Sequence, residues 1–359
     1  MAVITVADVL DLVKGTLNDL GSPKFQQIAQ TLTKYEVMSK WLKKDKMVFD
    51  DGKGIQRNLM TKLGGAASHA GLFSPDNVDV PDLMSQLNIP WRHAKTYWAM
   101  ERREALMNRG KALVFNVIEP RRAGAMIDMA DILENGAWSV PSTSNTTEPY
   151  GIPYYVVKSA STGFNGGNPG SFSTCAGIDS TTTPSWKNYT YQYTTVNKPD
   201  LLKGMRTGYR KTGWISPVDI NDYRNGQGKD CRYYTNETVI ASLEDVGEAQ
   251  NENLGRDIAP MDADSGNKGK SGIGYMDGDF LTFRRHPIIW VAKLDEDTQN
   301  PVYQIDHTVF YPVCLKGDYL VEDGPMKDGK SHNTLVTHVD LTYNFLVVDR
   351  RRLGVYATA

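Results

Sequence analysis

Several short motifs contain residues that bind anions or catalyse reactions in other proteins. The segment GNKGKSG at 266–272 contains Gly269-Lys270-Ser271, which resembles the end of a phosphate-binding loop. Such a loop needs a glycine five residues earlier, where this chain has Asp264, and a carboxylate there would repel phosphate. The glycine-rich segment GFNGGNPG offers backbone amides to an anion but lacks the spacing of a dinucleotide-binding turn. We interpret both segments as loops.

The titratable residues form no recognisable catalytic or metal-binding set. The six histidines include no HExxH pair, and the three cysteines include no CxxC pair. Cys175 has no evident histidine partner, so the cysteines are interpreted as buried or incidental thiols. Close carboxylate pairs would suit glycoside hydrolysis if they were correctly spaced in the fold. These pairs are Asp262/Asp264, Asp277/Asp279 and Asp295/Asp297. They are more typical of solvated turns, and we predict no enzyme, no cofactor and no metal.

Basic residues recur as doublets and one triplet along the chain. They are Lys43-Lys44, Arg102-Arg103, Arg121-Arg122, Arg284-Arg285 and Arg350-Arg351-Arg352. Because acids are interspersed with them, surface ion pairing within or between chains is the simplest interpretation. The alternative is that some of them face nucleic acid or an acidic patch of a neighbour.

The composition is that of a folded protein with substantial β structure. Its 359 residues are 40% hydrophobic and 23% charged, which excludes wholesale disorder. The formal net charge of −2 argues against a dedicated nucleic-acid binder. The 32 glycines, 17 prolines and 18 tyrosines favour turns and strands. The N-terminus lacks a basic region before its apolar residues, and no apolar run is long enough for a membrane span, so we predict no signal peptide and no membrane segment.

The first hundred residues predict an arm and a hairpin. An apolar stripe at helical spacing predicts an amphipathic helix over 6–20. β-Capable stretches at 47–63 and 83–100 flank a segment rich in small residues, which predicts a long hairpin with a flexible tip. Its first arm is polar and basic, with Lys53, Arg57 and Lys62. Such an arm cannot bury a core by itself, so it lies either on its own domain or on another chain.

The remaining sequence predicts a few helices among many strands. Helices are expected in ERREALMNRG, EPRRAGAMIDMADILENG, KPDLLKGMRTGYRKTG and the end of RYYTNETVIASLEDVGEAQNENLG. Strands are expected in GIPYYVV, NYTYQYTTV, HPIIWVAKL, PVYQIDHTVFYPVCL and the C-terminal tail, and residues 259–280 are expected to form a surface loop. Since there is no regular βαβ alternation, the predicted fold class is α+β.

The order of these blocks resembles the major capsid proteins of tailed bacteriophages, which share the Hong Kong 97-type shell fold. EPRRAGAMIDMADILENGAWSVP is similar to the long spine helix and its exit in one branch of that family. GIPYYVV, GFNGGNPG, KNYTYQYTTV and YYTNETVIASLEDVGEAQNENLGRDI look like further blocks of the same branch, in the same order. The resemblance covers most of residues 40–359.

The resemblance implies a division of the chain into four parts. Residues 1–40 would be an N-terminal arm and 41–100 an extended β-hairpin loop lying over an adjacent subunit. Residues 101–198 with 321–359 would form a peripheral domain around the spine helix, and 199–320 an axial domain near the centre of pentamers and hexamers. The candidate subunit-interface residues are Lys53, Arg57, Lys62, Arg92, Arg121 and Arg122.

The implied function is self-assembly into an icosahedral head that encloses double-stranded DNA. The partners would be other copies of the chain, packaged DNA through non-specific contacts, and portal, scaffold and cement proteins. The location would be the virion, after synthesis in the host cytoplasm. Two alternatives stay open. One is a cellular nanocompartment shell of the same fold, and the other is a β-rich glycan-binding or glycan-hydrolysing protein, suggested by the aromatic content and the acidic pairs.

Overall fold

We describe the fold from a computed structural model of the full chain. The structure describes residues 35–50, 52–65, 67, 69, 71–72, 82–103, 118–214, 230–254, 273–276, 280–327, 329 and 333–358, with the backbone alone for 118, 247–254, 273–276 and 280. The predicted helix over 6–20, most of ERREALMNRG and the GNKGKSG segment lie outside the described residues.

Five helices lie in the described part of the chain. The first has π-helical geometry, and the third is a single turn. They are α1 (Val37–Asp45), α2 (Ile118–Ala137), α3 (Ile152–Tyr155), α4 (Leu201–Lys211) and α5 (Glu237–Leu254). Short 3₁₀ turns cover Ala292–Glu296 and Arg350–Arg352. None of the described helices is both long and apolar enough to cross a lipid bilayer.

The strands form three sheets. They are β1 (Met47–Phe49), β2 (Gly54–Met60), β3 (Met84–Pro90), β4 (Arg92–Glu101), β5 (Gly163–Gly166), β6 (Asn188–Gln192), β7 (Cys231–Thr235), β8 (Ile273–Met276), β9 (Phe280–Phe283), β10 (His286–Trp290), β11 (Val302–Asp306), β12 (Phe310–Lys327), β13 (Thr334–Val347) and β14 (Gly354–Ala357). One sheet has the order β5-β6-β14-β11-β7-β10-β9-β8, a second has the order β1-β12-β13-β4, and β2 pairs with β3 alone. This mixture of helices and largely antiparallel strands confirms the α+β class.

The chain divides into two compact units. The smaller contains His93–Leu133 and Gly317–Thr342, and the larger contains Lys34–Arg92, Glu134–Lys316 and Tyr343–Ala359. The larger unit includes the eight-stranded sheet, on which α4 and α5 share one hydrophobic core. That core includes Leu202 and Met205 from α4, Val239 and Leu243 from α5, and the tyrosines of the sheet. The tyrosine-rich alternation in the sequence therefore marks a packed face of this sheet.

Several local predictions are confirmed. The periodicity of EPRRAGAMIDMADILENG gives α2, and KPDLLKGMRTGYRKTG gives α4. Strand β7 leads through Asn236 into α5, and the Asn236 side chain accepts a hydrogen bond from Val239 N at 3.2 Å, as a helix cap does. The three cysteines are free and buried. Burial raises the pKa of the Cys314 thiol to about 11, so this thiol is un-ionised at neutral pH.

The strand predicted in GIPYYVV is wrong. Residues Ile152–Tyr155 form a helical turn, with Pro153 as its second residue, where the missing N–H costs no helical hydrogen bond. The run is apolar because it is buried, with Tyr154 and Tyr155 almost fully enclosed. A short buried helix and a buried strand have the same composition, so hydrophobicity alone did not separate them.

Other predicted elements begin or end at different residues in the structure. The predicted hairpin over 41–100 is narrower, because only β2 and β3 pair with each other, whereas β1 and β4 belong to the four-stranded sheet. PVYQIDHTVFYPVCL is two strands separated by a turn, and HPIIWVAKL ends in a 3₁₀ turn. Within the predicted loop 259–280, residues Ile273–Met276 form strand β8, which pairs with β9.

Candidate assembly surfaces

The base of the β2–β3 hairpin packs against the larger unit. Ile55, Leu87 and Ile89 are fully buried on one side of the hairpin. Asn88 N donates to Ala176 O at 3.0 Å, and Ser185 Oγ donates to Thr61 O at 2.7 Å. The hairpin therefore has a hydrophobic face on its own chain, which is one of the two arrangements that the sequence left open.

The far end of the same hairpin exposes apolar side chains. Met60 and Met84 are cross-strand partners in the last pair of the register. Their exposed fractions are 51% and 55%, and Leu63 just beyond them is 86% exposed. Exposed apolar groups that lie together are typical of a surface that another molecule covers. The two faces of the hairpin thus differ: one carries the buried Ile55, Leu87 and Ile89, and the other is exposed, with apolar side chains at its far end.

Of the three basic residues predicted along this hairpin, Arg57 lies opposite Leu87, on the side of the hairpin that is buried. Lys53 and Lys62 are exposed, and Arg57 is partly buried. The Arg57 guanidinium lies 6.0 Å from the centre of the Phe49 ring, and its Nη2 is 3.7 Å from Met47 Sδ. Contacts of this kind leave the charge available to another molecule.

Arg92 is used inside the larger unit. It is only 9% exposed, donates to Thr146 O, and lies 5.6 Å from the centre of the Tyr150 ring. A guanidinium held by a carbonyl and an aromatic face is a stable arrangement for a buried cation. Within one copy, Arg92 therefore holds the loop that contains Thr146.

Arg121 and Arg122 lie at the start of α2 in the smaller unit. Arg121 Nη1 donates to Ala99 O at 3.1 Å. Arg122 makes a forked pair with Glu322, with Nε–Oε1 at 3.0 Å and Nη2–Oε1 at 2.5 Å. The hydrogen bond to Glu322 and its charge both raise the pKa of Arg122. Because the pair is open to water, it orients Arg122 without removing it from the surface.

The arginine triplet contains a buried cation that the interpretation as surface ion pairs missed. Arg350 is fully buried, and all of its polar contacts are to neutral acceptors. Its Nε donates to Tyr155 O at 2.7 Å, its Nη1 to Trp186 O at 2.8 Å, and its Nη2 to Gly167 O at 2.8 Å and Asn188 Oδ1 at 3.1 Å. Arg350 therefore joins α3, the glycine-rich segment and the start of β6.

Arg351 and Arg352 differ from Arg350 in their surroundings. Arg351 is partly exposed and pairs with Asp349, and the Arg352 guanidinium lies beside Asp306 at 3.3 Å. The only hint in the sequence is Asp349, whose side chain accepts from Arg351 N and so starts the turn. Nothing in the sequence indicates that the first arginine of the three points inward.

A buried aromatic cluster fixes α1 to the larger unit. Trp41 is fully buried among Trp138, Tyr234, His307 and Phe310, with ring centres 5.2–5.6 Å away. Its Nε1 donates to Tyr234 Oη at 3.0 Å, and that hydroxyl is 2.9 Å from His307 Nε2. Burial, and then the positive charge of Arg232, lower the pKa of His307 well below its ordinary value. His307 is therefore neutral at pH 7.

The acidic pair that could suit glycoside hydrolysis is engaged in structural contacts. Asp295 accepts hydrogen bonds from Trp290 Nε1 and Glu237 N, and Asp297 pairs with Lys158. Lys158 and Asp297 line an open cleft of about 450 Å³ with Trp138 and Tyr303. Among the described residues there is no group of three histidine, cysteine or acidic side chains that could hold a metal ion.

Comparison with known proteins identifies the fold. No protein-family profile and no curated protein sequence matches the chain. Its structure is similar to the cyanophage A-1(L) capsid asymmetric unit, with a TM-score of 0.60, 12% identity, and coverage of 94% of this chain and 96% of that one. The capsid of Myoviridae phage XM1 gives a TM-score of 0.54 at 13% identity and covers both chains fully.

The same fold occurs in a cellular shell. The SrpI encapsulin from Synechococcus elongatus PCC 7942 gives a TM-score of 0.51 at 13% identity, with coverage of 99% of this chain and 96% of that one. At such identities the likeness reports the fold, which in all three cases extends along almost the whole chain. The chain therefore has the α+β shell fold of the tailed-bacteriophage major capsid proteins, as the order of its sequence blocks predicted.

Proposed function

We propose that this protein is the major capsid protein of a tailed bacteriophage. It would self-assemble into pentamers and hexamers that form an icosahedral head around double-stranded DNA. The observation that carries the proposal is the near-complete match in both directions with capsid chains. Because almost all of each matching chain is covered, this protein contains the elements of an entire shell subunit.

The exposed end of the β2–β3 hairpin supports this proposal. Met60, Leu63 and Met84 are uncovered in a single copy, although one face of the hairpin is buried. A stable interface buries roughly 1,600 Å² of total surface, and a projecting hairpin adds area without enlarging the subunit core. We infer that a neighbouring subunit covers this apolar end, and that Lys53, Arg57 and Lys62 contribute polar contacts around it.

We also propose the division of labour implied by the resemblance. Residues 1–40 form the arm, 41–100 the extended loop, 101–198 with 321–359 the peripheral domain, and 199–320 the axial domain. The bonds from Arg350 to Tyr155 and Trp186 support a peripheral domain built from two separate segments. Arg121 and Arg122 are proposed to face a neighbour at the edges of these parts, whereas Arg92 is buried in its own subunit.

We also propose further partners, because a phage head encloses DNA. Non-specific contact between the shell and DNA is consistent with a net charge of −2, because weak attraction lets DNA move during packaging. Portal, scaffold and cement proteins would complete the head, which would be located in the virion after synthesis in the host cytoplasm.

Electron microscopy of the expressed full-length chain tests the proposal. We expect particles of uniform diameter, whereas a chain that stays monomeric at high concentration would contradict it. A second variant replaces residues 63–81 by a short Gly-Ser linker and keeps β2 and β3 with their buried side chains. This variant should unfold at the same temperature as the unassembled parent chain but form no closed particles. Normal particles from it would contradict the role of the hairpin end.

A cellular compartment shell is the second candidate, favoured by the match to the encapsulin. The contents of particles isolated from the native producing cells separate the two functions. Nuclease-protected double-stranded DNA supports a phage head, and a co-purifying protein cargo without DNA supports a compartment. A third candidate, a glycan-binding or glycan-hydrolysing protein, requires glycan binding by the soluble monomer that is lost in Asp295→Asn or Asp297→Asn.

A further inference from the structure

Helix α4 presents a basic stripe to solvent. Lys203 and Arg210 are exposed and Arg206 is partly exposed, and their spacing of three and four residues places them on one side of the helix. Leu201, Leu202, Gly204, Met205 and Gly208 are buried on the other side. Within the described residues, no ion pair includes Lys203, Arg206 or Arg210. These cations therefore have no ionic partner in the part of the chain that the structure describes.

The two buried glycines hold this helix very close to the sheet. A Cβ atom at Gly204 would lie 2.5 Å from the Tyr191 ring, and one at Gly208 would overlap the Tyr356 hydroxyl. The absence of side chains at these positions lets the backbone of α4 rest directly on β6 and β14. The basic stripe is thus presented on a rigid support and not on a loop.

A strained turn adds two arginines next to α4. Arg284 and Arg285 form the two-residue turn between β9 and β10, with φ of +52° and +69°. Turns of this kind favour asparagine and glycine, because other residues are disfavoured at positive φ. The Arg284 guanidinium lies 5.1 Å from the centre of the Tyr209 ring on α4. Two arginines in a position that suits glycine indicate a function for their charge.

Helix α5 carries the opposite charge and packs on the same hydrophobic core. Between Glu237 and Leu254 it contains five acidic residues and no lysine or arginine. Glu237 and Asp245 are exposed and Glu244 is partly exposed. The exposed Asp295 accepts a hydrogen bond from Glu237 N at 2.8 Å and so extends the acidic region at the start of the helix.

We propose that the basic face of α4, together with the Arg284–Arg285 turn, binds the acidic helix α5 of a second copy of this chain. This proposal rests on the proposed shell function and names one contact within the shell. A surface that is basic on one helix and acidic on another favours head-to-tail association, in which each copy uses a different side toward each neighbour. Such contacts close into a ring when the rotation from one copy to the next is a whole fraction of a full turn. Electrostatic complementarity also fixes the orientation of the partner.

A second copy fits these observations better than DNA does. The two helices share one core, so a long polyanion bound along α4 would also approach the carboxylates of α5. These carboxylates would repel phosphate, whereas a second copy satisfies both charged surfaces at once. DNA remains the alternative outcome of the test below.

Charge reversal on each side, alone and together, tests the contact. The first variant is Lys203→Glu with Arg206→Glu, the second is Glu244→Lys with Asp245→Lys, and the third combines all four changes. Lys187→Glu with Lys327→Glu is the control matched to the first variant, because these lysines are partly exposed and exposed, lie outside the proposed extended loop, and give the same change in net charge. Each variant is compared by electron microscopy and sedimentation, with thermal unfolding as the test of folding.

We expect each two-residue reversal to raise the concentration needed for assembly at least about tenfold, and the four-residue variant to restore particles. The control should assemble like the parent chain. Normal assembly of both reversals, or no restoration in the combination, would overturn the contact. Particles that form normally but enclose less DNA in the first variant would instead assign α4 to DNA. Failure of the parent chain to form particles would count against the shell function itself.

The Arg284–Arg285 turn gives an independent test, in which the subunit should keep or gain stability while assembly becomes weaker. Arg284→Asn with Arg285→Gly relieves the positive-φ strain, so the subunit should unfold at the same or a higher temperature. Assembly should nevertheless require a several-fold higher concentration. A turn that serves only the fold would leave assembly unchanged in this variant, and that result would remove the turn from the proposed contact.

Discussion

Arg350 and Arg206 show two uses of the same side chain within the larger unit. Arg350 is fully enclosed and gives its donors to backbone carbonyls and to Asn188. Arg206 lies on the outer side of α4, and no ion pair within the described residues includes it. The first holds together segments far apart in sequence, and the second leaves its charge for another molecule. Basic residues of one chain can therefore hold the fold together or stay available at its surface, and their position decides which.

The strongest way to test this contrast is to remove Arg350. In Arg350→Ala, several buried acceptors lose their donor, and we expect the free energy of unfolding to fall by about 3–5 kcal/mol. Urea unfolding of the unassembled chain measures this loss of stability. Arg351→Ala is the control from the same turn and should cost about 1 kcal/mol or less, because Arg351 is partly exposed. Equal losses in the two variants would contradict the special role of Arg350.

The close packing of α4 on the sheet is tested next by Gly208→Ala. The added methyl group would displace the Tyr356 hydroxyl, which donates to Gln304 Oε1 at 2.7 Å. We expect the free energy of unfolding to fall by about 1–3 kcal/mol. Gly124→Ala on α2 meets no atom within 4 Å and should instead stabilise by about 0.5–1 kcal/mol. Calorimetry of both variants separates the effect of contact from that of helix propensity.

The buried histidine gives a smaller, pH-dependent effect. The pKa of His307 is lowered in the folded chain, so below about pH 6.5 the unfolded chain binds a proton that the folded chain does not. Stability should therefore be complete above that pH and should fall by up to about 1.4 kcal/mol per pH unit below it. In His307→Gln this contribution to the slope should disappear. His338→Gln, at an exposed position, should keep the parent slope, and a parent-like slope in His307→Gln would exclude His307 as its source.

The smallest effect on the single subunit is expected at the stripe itself. Arg206→Gln should change the free energy of unfolding by less than about 0.5 kcal/mol, because its side chain is on the surface and no ion pair within the described residues includes it. Its effect should appear in assembly, measured as particle yield at fixed concentration. A large loss of subunit stability would show that Arg206, like Arg350, stabilises the fold. The two arginines would then not differ in their use.

Some features of these surfaces could be predicted from local sequence patterns. Once KPDLLKGMRTGYRKTG is assigned to a helix, its apolar residues Leu201, Leu202 and Met205 lie on one side, and the structure shows that this side is buried. The two strands of the hairpin could be predicted from their extended sequence runs. The burial of Ile55, Leu87 and Ile89 against their own unit could not. Asp295 and Asp297 looked alike as an acidic pair, and each is engaged by a different partner.

The sequence by itself determined the type of most elements, the α+β class and the order of blocks that identifies the shell fold. It could do so because helices and strands have different periods of buried positions, and these are local properties of the chain. Only the tertiary structure decided that GIPYYVV is a helical turn and that Arg350 points inward. The acceptors of Arg350 lie more than 160 residues away along the chain, so its burial depends on segments that meet only after folding.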